Sequence, residues 1–223
     1  MMAKNVLTNN FSEPLNGATT AKVDINVGDG NLTIDRLTEA NQVLASGTLE
    51  HFEKQGLPAR TLNLNNGQAT LTLRGRDTGR PWFRLPWAAC NGATEWQIHL
   101  NPTVSSDIIA HSGGGNVKLN LAGMTVARVS AATGGGNVDV VLPDKAANLS
   151  VTAQTGAGNV VVRVPSGMAA RIHAATGMGK VIVDPQFSKI DKNTYQSSNF
   201  ENASNRVEIT LNSGAGNVSV NTK

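Results

Sequence analysis

Two glycine-containing phrases have the residue types of ligand-binding loops. Thr176-Gly177-Met178-Gly179-Lys180 ends in a lysine after two glycines, as a loop that cradles phosphoryl oxygens would. It departs from that pattern where it matters: Ala174 stands five positions before Gly179, Val181 replaces the required Ser or Thr, and the residues that follow read as strand, not helix. Gly134-Gly135-Gly136-Asn137-Val138-Asp139 is similar to a calcium-binding β-roll turn, but Lys118 and Ser219 take the place of Asp139 in sister phrases, so a ladder of calcium carboxylates is not expected. His51, His99, His111 and His173 are scattered, with no carboxylate at a fixed spacing, and are read as surface residues, not as bases or metal ligands. Five positions before successive turns stand Asp107, Arg128, Ser150, Arg171 and Glu208. A solenoid that cleaves glycans needs acids or bases on one flank; this mixed column reads instead as cross-strand surface pairing. The reading is therefore non-enzymatic, with no catalytic, cofactor-binding or metal residue assigned and no cofactor expected.

One further stretch has binding chemistry without catalytic chemistry. Arg74 to Trp87 gathers four arginines, three large aromatics and two prolines in a segment that no regular strand or helix holds comfortably. Arg76, Arg80, Trp82, Arg84 and Trp87 are the candidate surface-binding residues, presenting guanidinium groups and amphipathic rings to an anionic membrane or envelope polymer. The competing reading has the rings cap one end of the core while the arginines face water.

The elements that position all of these residues come from a repeat. Ser112-Gly113-Gly114-Gly115-Asn116-Val117 returns as Thr133 to Val138, Thr155 to Val160 and Thr176 to Val181, in steps of 21, 22 and 21 residues. Ser213 to Val218 repeats it near the end and Val27 to Leu32 anticipates it near the start. Apolar residues alternate on both sides of each phrase, as in Val129 and Ala131 before the second, then Val138 and Val140. Period two means a strand with one buried face, so each unit reads as strand, glycine turn, strand. A single unit cannot bury its apolar face, whereas stacked copies share a core. The fold class is thus all-β, a β-solenoid of stacked two-strand coils of about 21 residues with Gly-rich turns. The Ser or Thr before each turn is placed to hydrogen-bond turn backbone, and the Asn to form an amide ladder that Lys180 breaks.

Composition agrees. Among 223 residues aromatics are 4% and helical periodicity is missing almost everywhere, which favours a chain filled by Val, Leu, Ile and Ala. The net charge of +3 is too small and too dispersed for a nucleic-acid partner. Cys90 is the single cysteine, which excludes an internal disulfide and a cysteine zinc cluster. The first ten residues lack a signal-peptide core and no segment reaches the roughly 20 apolar residues of a membrane span, so the expectation is a cytoplasmic location, at most peripheral to a membrane.

Along the chain, residues 1–20 are expected to be a flexible arm and residues 21–223 one solenoid domain, carrying an aromatic and basic loop at 74–94 and an inserted loop at 184–206. Asn66-Gly67 predicts a hairpin between Thr61 and Leu73. The final strand is expected to be an unpaired edge, with Val218 and Val220 as the candidate interaction edge for self-association or a protein partner.

Glu95-Trp96-Gln97-Ile98-His99-Leu100-Asn101-Pro102, Gly113 to Leu121, Gly134 to Pro143, Gly214 to Val220 and the opening Val23 to Ile34 together resemble the toast-rack family and related "putative adhesin" domains, including the C-terminal domain of LiaF-type cell-wall antibiotic response proteins. The resemblance covers most of residues 21 to 221. It implies a β-solenoid without enzymatic activity, an adhesin-like or scaffold interaction module linked to envelope-stress signalling or adhesion. LiaF-type members carry membrane helices that this sequence lacks.

Overall fold

The computed structural model describes residues 5–39, 42–76 and 94–223. Its strands are β1 (Val6–Pro14), β2 (Thr20–Asn26), β3 (Gly30–Arg36), β4 (Val43–Phe52), β5 (Ala59–Asn65), β6 (Gln68–Arg74), β7 (Thr94–Leu100), β8 (Ser105–Ser112), β9 (Val117–Asn120), β10 (Val126–Thr133), β11 (Val138–Val141), β12 (Leu149–Ala157), β13 (Val160–Val164), β14 (Ala169–Met178), β15 (Val181–Val183), β16 (Ser188–Asp191), β17 (Thr194–Gln196), β18 (Arg206–Ala215) and β19 (Val218–Thr222). They form two sheets, β1-β4-β7-β3-β9-β11-β13-β19-β15 and β16-β17-β14-β18-β12-β10-β8-β2-β6-β5. Each glycine turn carries the chain from the second sheet to the first, so a repeat is one rung with a strand in each sheet. The all-β solenoid read from the 21-residue period is the observed architecture.

Parallel, in-register stacking turns the repeat into columns. Val117, Val138, Val160 and Val218 lie side by side in the first sheet, and Ile108, Val129, Val151 and Ile209 in the second, all at most 1% exposed. Burying an aliphatic side chain of this kind stabilises by about 1.5–3 kcal/mol, so the columns dominate the stability of the stack.

The turns lock rung to rung. The hydroxyl of Ser112 donates to the Gly30 carbonyl at 2.6 Å, Thr133 to Gly115 at 2.7 Å, Thr155 to Gly136 at 2.7 Å, Ser213 to Gly158 at 2.9 Å and Thr176 to Gly216 at 2.8 Å. The amide oxygen of each Asn accepts the backbone N–H of the next rung: Asn116 donates to Asn31, Asn137 to Asn116, Asn159 to Asn137, Asn217 to Asn159, at 2.8–2.9 Å. Lys180 closes the series, its N–H donating to Asn217 Oδ1 at 3.0 Å. Lys180 therefore does not interrupt the ladder. It stands at the end, where no further rung needs an acceptor.

The stack does not follow chain order. The last rung, β18 and β19, inserts between β12/β13 and β14/β15. Val218 and Val220, expected at an edge, are consequently fully buried between β13 and β15. The reason lies in the ladder: a rung bearing lysine has no amide oxygen to offer a following N–H, so the rung bearing Asn217 takes the interior place. At the other end β2/β3 pairs directly with β8/β9, although 85 residues separate Val27 from Ser112. The intervening residues continue the sheets outward, through β6 and β7 and then the antiparallel β5 and β4, and β1 from before the first rung pairs outside β4.

Residues 6–14 are not a loose arm. They form β1, paired with β4 along its whole length, with Phe11 buried at 6% exposure. An edge strand faces water on most sides, so its polar composition resembles that of a free segment. Asn66 (φ 48°) and Gly67 (φ 77°) make the expected hairpin turn, both in the left-handed region that a two-residue β-hairpin requires. The inserted loop is a side flap: β16 and β17 extend the second sheet beyond β14, with Phe187 and Phe200 buried and Tyr195 against the core.

The third glycine of each turn lies on the carbonyl of the neighbouring turn, and a Cβ at Gly136 would sit well inside contact with the Gly115 oxygen. The middle position is open: a Cβ at Gly135 would lie 4.0 Å from the nearest atom, and Ala157, Ala215 and Met178 fill the same place elsewhere. Gly136→Ala is expected to destabilise by about 1–3 kcal/mol through overpacking, while Gly135→Ala stays within about 0.5 kcal/mol of the parent. Urea unfolding of the two variants measures the difference.

Candidate interaction surface

Two broad outward faces and two ends make up the surface. The outward face of the second sheet carries the charge column noted above, in the spatial order Arg171, Glu208, Ser150, Arg128, Asp107, Lys22. Arg128 reaches Asp107 at 3.2 Å and Arg171 reaches Glu208 at 3.5 Å, so the column is used in pairing between rungs. Arg74 and Asp24 pair at 2.5 Å farther along the same sheet. On the first sheet Arg163 pairs with Asp139. Such half-exposed pairs contribute about 0–1 kcal/mol each and mark these faces as ordinary solvated surface.

The histidines divide by environment. His111 and His173 face outward as expected. His51 does not: it is 7% exposed on the inner side of β4, and its Nδ1 has no partner among the described residues. His99 meets the carboxylate of Asp35 through Nδ1 on the outward face of β7 and β3. That contact joins residues 64 positions apart, and no local spacing announces it; only the pairing of β3 with β7 does. Both side chains are more than a third exposed and stand on an open sheet, without an enclosed site.

Of the predicted surface-binding residues, Arg76 lies within the described residues and Arg80, Trp82, Arg84 and Trp87 lie outside them. Arg76 donates through Nε to the Leu57 carbonyl at 3.0 Å, which ties it to the turn that precedes β5. The other predicted pair, Val218 and Val220, lies inside the core, as described above. The sheet edges are elsewhere: β1 and β15 bound the first sheet, β5 and β16 the second.

Those edges hold what the interior excludes. Among the described residues, the exposed large apolar side chains are Val6 and Leu7 on β1, Leu57 and Leu64 on and before β5, Met178 and Ile182 around β15, and Ile190 on β16. All belong to the terminal strands or the turns that feed them. The signal that would have located the β15 end is the departure of the fourth repeat from its sisters, where Met178 and Lys180 replace a small residue and asparagine.

At the β15 end, the chain turns from one sheet to the other through Asp184. Its carboxylate accepts the Gln186 N–H at 3.1 Å and the Thr222 N–H at 3.3 Å. The backbone hydrogen bond from Gln186, followed by the Thr222 side chain, holds its pKa below the ordinary 3.8, against a small opposing effect of desolvation. A depressed carboxylate stabilises above its unfolded pKa, and that contribution disappears as pH falls through the folded value.

Among the described residues, no group of three or more His, Cys, Asp or Glu is placed to hold a metal ion. Among them, too, no helix is long and apolar enough to cross a membrane, which says nothing of spanning by strands.

Residues 2–163 match the model of the N-terminal domain of toast_rack, DUF2154. No curated protein matches the chain. Among solved structures, a "putative cell adhesion protein" from Clostridium sporogenes superposes with a TM-score of 0.86 at 23% identity, covering 98% of this chain and all of its own. That likeness shows the shared fold. A "putative adhesin" from Bacteroides fragilis aligns over 98% of both chains at 10% identity, with a TM-score of 0.35 that is too low to support a structural argument.

The turn at Asp184 yields a pH prediction. Amide exchange at Gln186 and Thr222 is expected to lose protection as pH falls below 3.8, and Asp184→Asn to abolish that acid-side change. Exchange measured by NMR between pH 2 and 6 provides the check.

Proposed function

The chain belongs to the toast-rack family, matched through the family's N-terminal domain over residues 2–163, and from that premise we propose that it is a non-catalytic, adhesin-like interaction module that binds other proteins through the ends of its solenoid. The observation that carries this reading is the distribution of exposed large apolar side chains, which among the described residues are confined to the terminal strands and their turns. Exposed apolar groups at unpaired sheet edges favour association with another chain. The flanking faces are spanned by salt bridges and short polar side chains, which favour water. The solved Clostridium sporogenes structure of the same fold is described as a "putative cell adhesion protein", consistent with such a role.

A finer reading joins the module to the cell-envelope stress response, on its resemblance to LiaF-type proteins. Deletion of its gene is then expected to change sensitivity to cell-wall-active antibiotics, with restoration by the intact gene; unchanged sensitivity rejects this link.

The main reading is tested by adding fluorescently labelled protein to intact bacterial cells and to cells shaved with protease. Saturable binding that survives 0.5 M salt and is lost on shaving is the expected result. Absence of saturable binding would overturn the proposal. So would binding that resists protease and disappears in salt, which would identify an anionic polymer or lipid as the ligand.

A further inference from the structure

The rung of β18 and β19 fills a slot whose two walls are both made earlier in the chain. β18 lies between β12 and β14, and β19 between β13 and β15, in parallel register on both sides. Val207, Ile209, Leu211, Val218 and Val220 are at most 1% exposed there. Toward β12 and β13, the Ser213 hydroxyl donates to the Gly158 carbonyl at 2.9 Å and the Asn217 N–H to Asn159 Oδ1 at 2.9 Å. Toward β14 and β15, the Gly216 N–H donates to the Met178 carbonyl at 2.7 Å and Asn217 Oδ1 accepts the Lys180 N–H at 3.0 Å. Asn217 thus serves one wall with its backbone and the other with its side chain. Gly214 and Gly216 lie against the Gly156 and Gly158 carbonyls with no room for a Cβ. An occupant of the slot therefore needs a hydroxyl before its turn, glycine where the turns touch and asparagine after it.

What joins this rung to the chain differs from what joins the others. Short connections, residues 121–125, 142–148 and 165–168, link the rungs from β8 to β15, whereas β15 is linked to β18 through residues 184–205. After the hairpin of β16 and β17, residues 197–205 cross β14 to reach β18. Neighbouring strands lie about 4.8 Å apart, so the crossing covers about 10 Å, while the same residues extended reach about 30 Å. The crossing is pinned at Phe200, buried with the guanidinium groups of Arg171 and Arg206 at 4.4 and 5.9 Å from its ring centroid, and at the Glu201 carbonyl, which accepts from Arg206 at 3.4 Å. The ladder, turn and core contacts of the rung are made with its walls, and the walls do not distinguish their own rung from that of another copy.

We propose that the β18/β19 rung is exchanged between copies: residues 206–223 of one chain fill the slot between β12/β13 and β14/β15 of a second chain, and the second chain's rung fills the first. The exchanged dimer keeps the ladder, turn and core contacts of the monomer, and only the crossing at residues 197–205 changes course. Exchange is set while the chains fold, because a finished stack holds the apolar side chains of the rung out of water on both sides. It therefore grows with the concentration of folding chains, against the advantage that the short crossing gives to the chain's own rung. The exchanged rung is interior, so the ends of both stacks remain as they are in the monomer, and the adhesin-like reading stands or falls separately.

The test uses the full chain with Cys90→Ser, which leaves no other thiol. Val161 on β13 and Ser219 on β19 are register partners on the outward face of the first sheet, at a strand spacing that a disulfide bridges. The double variant Val161→Cys with Ser219→Cys, folded at low concentration, is expected to close the bond within one chain, which confirms the geometry. The two single variants are then unfolded together in urea, refolded at increasing concentration and oxidised. The heterodimer bridged from 161 to 219 is expected to exceed either homodimer at least ten-fold, to rise with concentration, and to fall at least ten-fold when the variants are mixed only after folding. A heterodimer no more abundant than random pairing gives, or equally abundant on mixing folded chains, would overturn the proposal by placing the contact at the surface. A second variant decides without cysteines: deleting residues 198–205 leaves about 7 Å of chain for a crossing of about 10 Å, so its own slot is out of reach. That variant is expected to sediment as a dimer with the parent's circular dichroism. A folded monomer would overturn the proposal, as would a parent that remains monomeric at every refolding concentration.

Discussion

The architecture depends on how closely one glycine turn can approach the next. The third glycine of each turn rests against a carbonyl of its neighbour, leaving no room for a side chain. At that spacing the preceding hydroxyl reaches the neighbouring glycine carbonyl and the following asparagine reaches the next backbone N–H. The hydroxyl and the amide oxygen of the reversal thereby find partners in the adjoining rung, as polar groups of a buried or half-buried turn require. The same spacing brings valine onto valine in the core. Gly, Ser or Thr, Asn and Val recur together because they answer one geometric demand.

A stack held this way has to end somewhere, and its two ends are built differently. At one, the parallel rungs give way to antiparallel strands, with β4, β5 and finally β1 covering the last of the core. At the other, the lysine that terminates the asparagine ladder belongs to the outermost rung, β14 and β15, and a hairpin covers one sheet only. Arg171 fastens that hairpin region, stacking on Phe200 at 4.4 Å from the ring centroid and pairing with Glu201. Among the described residues, no strand lies beyond β15 in the uncovered sheet. The interior of a solenoid satisfies its own hydrogen bonds, and only a terminal rung has any left to offer.

The insertion of the final rung one place in from the end has a structural consequence as well. The chain passes to the outermost rung, folds the hairpin over it, and returns to fill the gap at β18 and β19. β19 then pairs on both sides, so the C-terminal strand is enclosed. At the other end β2 and β3, the first glycine-turn rung in the chain, are likewise interior, between β6 or β7 and β8 or β9. The first and last glycine-turn rungs are thus both protected against fraying by rungs outside them.

The sequence by itself determined the unit: period two around a six-residue turn, a step of 21 residues, the hydroxyl and amide positions, and the need to stack. These are local properties, set by what each residue permits in its own backbone and on its own face. It also marked Lys180 as exceptional, although as a break in the ladder and not as its end. The tertiary structure decided the order of the rungs, because parallel in-register copies offer nearly equivalent columns to one another and chain order does not rank them. It decided that Val218 and Val220 are core and that Val181 to Val183 are edge, that polar residues 6–14 form a strand, and that Asp35 meets His99. Each of these depends on which strand lies alongside, a relation between distant segments that residue spacing within a repeat does not record.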